Sequence, residues 1–354
     1  MVQFYGLTTV LLALASSVAA QCGAGSPDAT VTGSAGNYEA VRGSTNLYSG
    51  SDYLAAIQAA IDGISSGQRV AVIASGSIGA NTISIDSGKT FEGCGTIDVG
   101  YRASHGAIES VNTENVNIAY LSMTGNPYFG LRFYGTSGLV LGQITMRLSG
   151  GIGIRFDRDN AANSNVTMDT IDVSGASSHA VETWNIAGLE IGSVIARDVG
   201  ECGLLIQAST DVHVGLVDGD NAGAGTGYAT LRFANNAGQK GSSYDTNIVV
   251  DKVVSRGGGR GIFCVSQSGG IDIVSADLAD NESNSVLVEN CYGFRIQGGT
   301  VNGGGEVRIS ARTEFPNTRD TDITLEVDGT TVRESPCADN SVWALTGDAA
   351  QTIC

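Results

Sequence analysis

Short runs of alternating apolar residues recur along the chain at a constant spacing. Eight such runs begin at positions 116, 139, 166, 189, 212, 248, 271 and 294. Five of the seven intervals are 23 residues, and the other two are the same period lengthened by 4 and 13 residues. A second apolar run lies about eight residues before most of these starts. A period of this kind indicates one structural unit stacked on copies of itself.

Each repeat holds two or three short strands and no helical pattern. Turns rich in Gly, Asn and Ser separate the strands, and no repeat has a helical segment long enough for a βαβ crossover. A helix-free coil of this length is typical of a parallel β-helix, in which strands of successive coils pair about 4.8 Å apart. We therefore predict an all-β fold, a single-domain right-handed parallel β-helix.

The segment 49–67 differs from the repeats because its apolar residues follow a helical period. Leu54, Ile57, Ile61 and Ile64 fall on one helical face. We predict an N-terminal capping α-helix that covers the open edge of the first coil. The predicted organisation is a signal peptide (1–20), an N-terminal cap with the first coils (21–104), the β-helix (105–330) and a disulfide-clipped C-terminal tail (331–354).

The first 20 residues have the pattern of a secretory signal. They contain no charge, carry an apolar run over 7–14 and end on the small residues Val-Ala-Ala. We expect this segment to be removed and the protein to be secreted and extracellular. Two N-glycosylation sequons, at Asn165 and Asn281, predict surface loops of a glycoprotein.

Secretion makes the seven cysteines candidates for disulfides rather than for metal ligands. We expect a Cys22–Cys94 bond in the N-terminal segment and a Cys337–Cys354 bond in the tail. The odd count leaves at least one thiol unpaired.

The charge balance argues against several classes of partner. The chain has 36 acidic against 19 basic residues, a formal charge of -17, which repels phosphate backbones and anionic lipid. We expect no nucleic-acid partner, no membrane partner and a monomer. No CxxC pair and no dense acidic loop is present, so no metal or cofactor is predicted, and a need for Ca²⁺ stays open.

The signal peptide, helix and 23-residue coil resemble the pectin-lyase-like superfamily of secreted carbohydrate-active proteins, over roughly residues 50–330. The resemblance implies a fold and a polysaccharide partner, without a reaction. The catalytic motifs of polygalacturonases are absent, and Ser178-His179-Ala180 and Leu231-Arg232-Phe233 match them only faintly.

Alternation within the strands predicts which side chains point outward. Applied to successive coils, the phase of Leu131–Tyr134 gives two outward columns. Their members are Glu109, Arg132, Arg155, Glu182, Leu205, Thr230, Cys264 and Leu287 in the first, and Val111, Tyr134, Asp157, Trp184, Gln207, Arg232, Ser266 and Glu289 in the second.

Both insertions follow members of the second column, Asp157 and Arg232. We expect the loops 158–165 and 233–247 to wall a groove, because long loops on a rigid scaffold often carry function. The predicted floor consists of Glu182, Trp184, Leu205 and Gln207.

The polar and aromatic members of these columns are the predicted substrate-binding residues. Aromatic rings stack on sugars and guanidinium groups bind carboxylates, so we predict a uronate-containing polysaccharide. The set comprises Arg132, Tyr134, Trp184, Gln207, Arg232 and Lys240. The alternative is that the aromatics pack under the inserted loops and the arginines pair with Glu109, Asp157 and Glu182.

Two reactions and one non-catalytic role fit these residues. In a polysaccharide lyase, Arg155 would neutralise the uronate, and His179, Lys240 or Tyr134 would take the proton. In a glycoside hydrolase, Asp157 and Glu182, roughly 6–9 Å apart, would act as acid and base, with Asp159 able to replace either. The third interpretation is a glycan-binding surface protein. The arginines favour the lyase.

Overall fold

The structure is a computed structural model that describes residues 21–225 and 227–354. The predicted signal peptide lies outside the described residues. Within the described part of the chain, no helix is long and apolar enough to cross a membrane.

The described elements are one helix and 29 strands. In chain order they are β1 (Ala29–Ser34), β2 (Asn37–Arg42), β3 (Thr45–Gly50), α1 (Tyr53–Asp62), β4 (Arg69–Val72), β5 (Gly76–Gly79), β6 (Ile83–Ser84), β7 (Thr90–Val99), β8 (Gly106–Val111), β9 (Asn117–Gly125), β10 (Phe129–Tyr134), β11 (Val140–Leu148), β12 (Ile152–Phe156), β13 (Asn163–Ser174), β14 (Val181–Trp184), β15 (Ile186–Val199), β16 (Leu204–Gln207), β17 (Thr210–Ala222), β18 (Leu231–Ala234), β19 (Ile248–Arg256), β20 (Arg260–Val265), β21 (Gly269–Ala279), β22 (Asn284–Glu289), β23 (Tyr292–Ile296), β24 (Gly299–Asn302), β25 (Glu306–Ser310), β26 (Arg319–Asp328), β27 (Thr331–Glu334), β28 (Asp339–Thr346) and β29 (Ala350–Thr352).

These strands form a parallel β-helix with two sheets. Sheet A has 17 strands, and sheet B has 12 strands in the order β29-β27-β25-β22-β20-β18-β16-β14-β12-β10-β8-β6. Strands of sheet B alternate along the chain with strands of sheet A, so each coil contributes to both sheets. The coils are of the right-handed type, as expected for connections between parallel strands. The all-β parallel β-helix is therefore confirmed.

The core is built from inward columns of apolar side chains stacked in strict register. One column of sheet B runs through ten strands, and each of its members is at most 1% exposed. Its members are Ile108, Leu131, Ile154, Val181, Leu204, Leu231, Ile262, Val286, Val307 and Val332. Because the inward positions are filled with packed aliphatic chains, chemistry is confined to the outer faces and the turns.

The helix forms where the helical apolar period was found. Asp52 caps its N-terminus by accepting a hydrogen bond from the backbone N–H of Ala55 at 3.0 Å. Its buried face, which includes Ile57 and Ile61, packs against strands β1 to β6. Its role as a cap stays a prediction.

Three disulfides join six of the cysteines. The expected Cys22–Cys94 and Cys337–Cys354 bonds are present, and a third joins cysteines 264 and 291. Cys202 is a free, buried thiol. The expected unpaired cysteine is thereby identified.

The structure corrects four members of the predicted outward columns; one is Ser266, whose place beside Glu289 is taken by Val265. Arg232 pairs with Leu205 and Phe263, so it belongs to the first column, whereas Thr230 and Cys264 are buried. The reason lies in the insertions: Leu204 pairs with Leu231, so part of the extra length precedes β18 instead of following it. The strand containing Arg232 is therefore shifted by two residues from its predicted register.

The two sequons differ in accessibility. Asn165 is exposed, as expected for a surface loop. The expectation is wrong at Asn281, which is fully buried and whose Nδ2 donates to Ser255 Oγ at 2.8 Å and to the carbonyl of Gly257. A side-chain amide held in this way is not accessible for glycosylation.

Candidate functional site

The first outward column places two acidic and two basic side chains on four neighbouring strands of sheet B. Glu109, Arg132, Arg155 and Glu182 are direct register partners on β8, β10, β12 and β14. Asp157 follows β12 and reaches back to this column. We call these five residues the charge ladder.

Arg132 is fully engaged within the charge ladder. Its Nε and Nη2 donate to Asp157 Oδ2 at 2.9 and 2.6 Å, and its Nη1 donates to Glu109 Oε1 at 3.2 Å. Burial lowers the pKa of Arg132, but its bonds to the two carboxylates outweigh burial and raise it. Its ring neighbour Tyr134 lies 5.2 Å from the guanidinium carbon. Arg132 therefore orients Asp157, and each of its three guanidinium nitrogens already donates one hydrogen bond.

Arg155 pairs with the two buried carboxylates of the ladder, and one of its nitrogens makes no hydrogen bond to the described residues. Its Nη1 donates to Glu182 Oε2, and its Nε lies 3.3 Å from Asp157 Oδ1. Nothing among the described residues accepts a hydrogen bond from Nη2. The guanidinium carbon lies 5.7 Å from the ring centre of Phe129. Of the two ladder arginines, Arg155 is the one that has a whole terminal nitrogen without an acceptor among the described residues.

Glu182 is saturated with hydrogen bonds and only 6% exposed. Its Oε1 accepts from Trp184 Nε1 and from Gln207 Nε2, both at 2.9 Å, while Arg155 occupies Oε2. Asn235, from the loop after β18, donates to Gln207 Oε1 at 2.6 Å. Hydrogen bonds thus join Glu182, Gln207 and Asn235 in a chain on the outer face of sheet B, and the groove floor predicted there stays a prediction.

The loop after β12 packs over Asp157 and Trp184. Asn160 Nδ2 donates to Asp157 Oδ2 at 3.0 Å, and Asp157 is 7% exposed. The Arg158 guanidinium lies 5.7 Å from the centre of the Trp184 ring and pairs with Asp159 at 2.9 Å. Trp184 is therefore partly covered by the inserted loop, and Asp159 and Arg158 are the exposed charges of that loop.

An open cleft of about 210 Å³ lies between this loop and the N-terminal ends of the sheet B strands. Its lining residues are Ser104, Tyr128, Phe129, Arg132, Arg155, Asp157, Arg158, Asp159 and Asn160. A second cleft, of about 360 Å³, shares Tyr128 and Phe129 with it and is also lined by Tyr101, Asn126, Gly151, Ile152, Ser177 and Ser178. We call the two clefts together the sheet B groove.

Three aromatic rings line the sheet B groove, and two of them, Tyr128 and Phe129, are shared by both clefts. Tyr101 and Tyr128 meet edge to face at 5.4 Å, and Tyr128 and Phe129 at 4.5 Å. Tyr101 is 56% exposed. Sequence analysis missed Tyr101 and Tyr128 because they lie in turns, where strand alternation does not apply. Phe129 begins β10, and alternation in phase with Leu131 predicts it to point inward. The signal that was present is the spacing of Tyr101 and Tyr128, which is close to one coil.

At the far end of the groove, Ser178 and His179 hold Glu201. Ser178 Oγ donates to Glu201 Oε2, which also lies 2.9 Å from His179 Nε2. The bond from His179 lowers the pKa of Glu201 to about 2, although burial opposes this change. The carboxylate is therefore ionised at neutral pH.

His179 is 6% exposed, so it faces protein instead of open solvent. The backbone N–H of Cys202 donates to its Nδ1 at 3.0 Å, which leaves a lone pair on that nitrogen and the proton on Nε2. Burial lowers the pKa of His179, and hydrogen bonds with the side chains of Cys202 and Glu201 raise it. The backbone amide of Cys202, which donates to Nδ1, opposes a proton on that nitrogen. We take the ring as neutral. In this arrangement His179 positions Glu201.

Lys240 lies away from the sheet B groove. Its Nζ is 2.5 Å from Oδ1 of Asp211, the second residue of β17 in sheet A. The other predicted residues lie on or beside sheet B, but Lys240 does not join them.

Sheet A carries a separate cleft of about 370 Å³. Its lining includes Glu190, Asp211 and His213, and His213 lies between Glu190 and Asp251 at 2.5 and 3.1 Å. No aromatic ring of Phe, Tyr or Trp is among its lining residues. For this reason the sheet B groove is the better candidate for sugar binding.

Among the described residues, the one group of metal-ligand types that lie close together is Cys22, Glu92 and Cys94. The two cysteines are joined to each other, so their sulfurs are not thiolate ligands. Glu92 instead pairs with Arg69 at 2.8 Å. Cys22, Glu92 and Cys94 therefore serve the fold through a disulfide and an ion pair.

Comparison with known proteins gives little. No family model matches the chain, and no curated protein matches it. One solved structure that matches is the Dettilon tailspike protein, at 12% sequence identity and a TM-score of 0.35. The match covers 85% of this chain and 64% of the tailspike chain. A similarity this low carries no argument about function, so the function is argued from the residues of the groove.

Proposed function

We propose that this protein is an extracellular polysaccharide-binding β-helix that holds an acidic glycan in the sheet B groove. The observation that carries the proposal is the continuous aromatic wall of Tyr101, Tyr128 and Phe129 beside the charge ladder. Aromatic rings present apolar faces to sugar rings, and an elongated open groove fits a chain better than a small molecule. The resemblance to the pectin-lyase-like superfamily supports the same proposal.

The acidic nature of the glycan is argued from the donors that remain in the groove. Arg155 Nη2 has no acceptor among the described residues, and Arg158 is largely exposed on the covering loop. Guanidinium groups bind carboxylates through charge-assisted hydrogen bonds. A uronate carboxylate next to Tyr128 would meet both arginines.

An extracellular location is supported by the three disulfides, because such bonds persist in oxidising compartments. The predicted signal peptide supports the same location. Secretion as such is part of this proposal.

The binding proposal is tested by replacing an exposed wall residue. Tyr101→Ala should weaken binding of uronate polysaccharides, because the lost ring no longer stacks on a sugar. Val342→Ala is the matched control, since Val342 is 58% exposed but lies on β28 of sheet A. Affinity is measured by isothermal titration. Equal affinities for both variants and the unmodified protein would contradict sugar stacking at Tyr101.

Cleavage of the bound chain is a second proposed function, favoured by the presence of Arg155 and Asp159 in one cleft. In β-elimination Arg155 neutralises the uronate while a basic group takes the proton. Acid–base hydrolysis by Asp157 and Glu182 is less well supported, because Arg155 forms an ion pair with each of these carboxylates. Unsaturated uronate absorbance and reducing ends, followed together with and without EDTA, distinguish the two. Reducing ends without the chromophore would contradict elimination.

A further inference from the structure

Two arginines on the outer face of sheet B both lie against one aromatic ring. Arg232 lies on β18 and Arg260 begins β20. Their guanidinium carbons lie 5.1 and 4.6 Å from the centre of the Phe263 ring. Phe263 itself is buried in an outer apolar cluster that includes Leu205 and Leu287. The ring holds two like charges close together on a rigid support.

Neither arginine has a carboxylate partner. No salt bridge joins either of them to an acidic residue among the described residues, whereas ladder arginines 132 and 155 each have two. Glu289, the acidic residue whose charge acts on Arg260, is itself held by Arg312 at 2.8 Å. An uncompensated pair of cations is unusual in a chain of formal charge -17.

The pair also leaves buried donors without acceptors. Arg260 is 8% exposed, its Nε donates to Asn284 Oδ1 at 3.0 Å, and its Nη1 is buried with no partner. Arg232 Nε is buried without a partner as well. Burial lowers the pKa of Arg260, Glu289 opposes this, and the charge of Arg232 lowers it further. Buried donors of this kind destabilise the fold unless something accepts their hydrogen bonds.

Arg232 lies in line with the sheet B groove. Arg155, Glu182, Leu205 and Arg232 are successive register partners on four neighbouring strands. Three strand spacings separate Arg155 from Arg232, roughly 14 Å along the helix axis. One extended glycan chain lying along the axis would therefore reach both arginines.

We propose that Arg232 and Arg260, which both pack against Phe263, form a second anion subsite that binds the carboxylate or sulfate group of a glycan. An oxyanion there accepts hydrogen bonds from both guanidinium groups and removes their mutual repulsion. The glycan part of this inference rests on the proposed function; binding of a free oxyanion does not.

The test uses the full chain and two probes, free sulfate and sodium glucuronate, followed by uronate oligosaccharides. Sulfate and glucuronate should raise the melting temperature of the unmodified protein and shift Arg232→Gln much less. Binding of uronate oligosaccharides should weaken about ten- to a hundredfold in Arg232→Gln, the effect of a lost charge-assisted hydrogen bond. Arg232→Lys should fall between the two, because it keeps the charge but loses the planar fork.

The matched control is Arg295→Gln, which removes the same charge from the strand β23 of sheet A. Circular dichroism checks that each variant is folded. If both anions stabilise Arg232→Gln as strongly as Arg295→Gln, the subsite is overturned. If free anions distinguish the variants but oligosaccharides do not, the subsite binds free oxyanions and its glycan assignment is wrong.

The failures of the two proposals are distinguishable. Loss of binding in Tyr101→Ala alone supports the groove and overturns the glycan role of Arg232. Loss in Arg232→Gln alone supports the subsite and contradicts sugar stacking at Tyr101.

Discussion

At the scale of single residues, Arg155 has two roles that compete for one side chain. It neutralises Asp157 and Glu182, which are both more than nine-tenths buried, and it also presents Nη2 to the groove. Removing it would leave Glu182 without a counter-charge and Asp157 with Arg132 alone. The same residue is therefore needed for stability and for the proposed binding.

We expect Arg155→Gln to lower the free energy of unfolding by on the order of 3 kcal/mol, as when one partner of a buried pair is removed. Arg147→Gln is the control, because its pair with Asp172 is half exposed on sheet A and should contribute less than about 1 kcal/mol. Urea unfolding measures both. Similar losses in the two variants would show that the charge ladder is no more important than a surface pair.

The pH dependence of stability should report Glu201. Its pKa is about 2 in the fold against an ordinary value of 4.5. A depressed pKa contributes stability that is present above pH 4.5 and is lost as the pH falls toward 2. Glu201→Gln should remove this part of the acid dependence, measured as melting temperature against pH. Ser178→Ala, which removes one donor to Glu201, should shift the loss to higher pH; unchanged curves for both variants would contradict the assignment.

Sequence alternation placed Arg132, Arg155 and Glu182 on one outward column because a strand has a period of two. It left open whether these arginines bind a substrate or pair with each other's carboxylates, since that depends on rotamers. The structure shows the lateral pairs. The turn aromatics, including Tyr128, were not predictable in this way because turns have no alternation.

At the scale of elements, the period predicted where strands occur better than it predicted their register. Ala229, Thr230 and Leu231 are all buried, so the apolar pattern is compatible with two registers that differ by two residues. Hydrogen bonding selects the one in which Leu231 pairs with Leu204. Because extra residues lie both before and after β18, the spacing of the apolar runs alone does not decide between the two registers.

Close stacking of the coils also restricts the turns. Gly175 has φ +73°, and a Cβ there would lie 2.1 Å from the carbonyl oxygen of Leu148 on the preceding coil. Gly67 has φ +80° but no atom within 4 Å of such a Cβ. The two positions share the backbone conformation and differ in the space around them.

We expect Gly67→Ala to cost about 1 kcal/mol from backbone strain alone. Gly175→Ala should lower the free energy of unfolding by about 1–3 kcal/mol more than Gly67→Ala, because the coils must separate locally to admit the methyl group. Thermal unfolding of the two variants measures the difference. Equal costs would show that the stacking at this turn is loose.

At the scale of the whole molecule, an acidic chain is proposed to bind an acidic polymer. The formal charge of -17 repels a polyuronate at long range, whereas the arginines of the groove attract its carboxylates at short range. The two effects differ in their response to salt, because screening is strongest for distant charges.

We expect the association rate with a uronate polymer to rise as salt is added, because screening removes the long-range repulsion. The dissociation rate should rise as well, since the arginine contacts weaken. Stopped-flow measurements over a range of ionic strength test this, with a neutral polysaccharide as the control. An association rate that falls with salt would mean that attraction dominates at long range.

The central claim is that the glycan lies on sheet B, and hydrogen–deuterium exchange with and without a bound uronate oligosaccharide tests it most directly. The account predicts slower exchange at the turns of the groove, residues 101–105, 126–129 and 177–178. The sheet A cleft, at 188–190 and 211–213, should be unchanged. Protection confined to the sheet A cleft would contradict the account and move the site to the surroundings of His213.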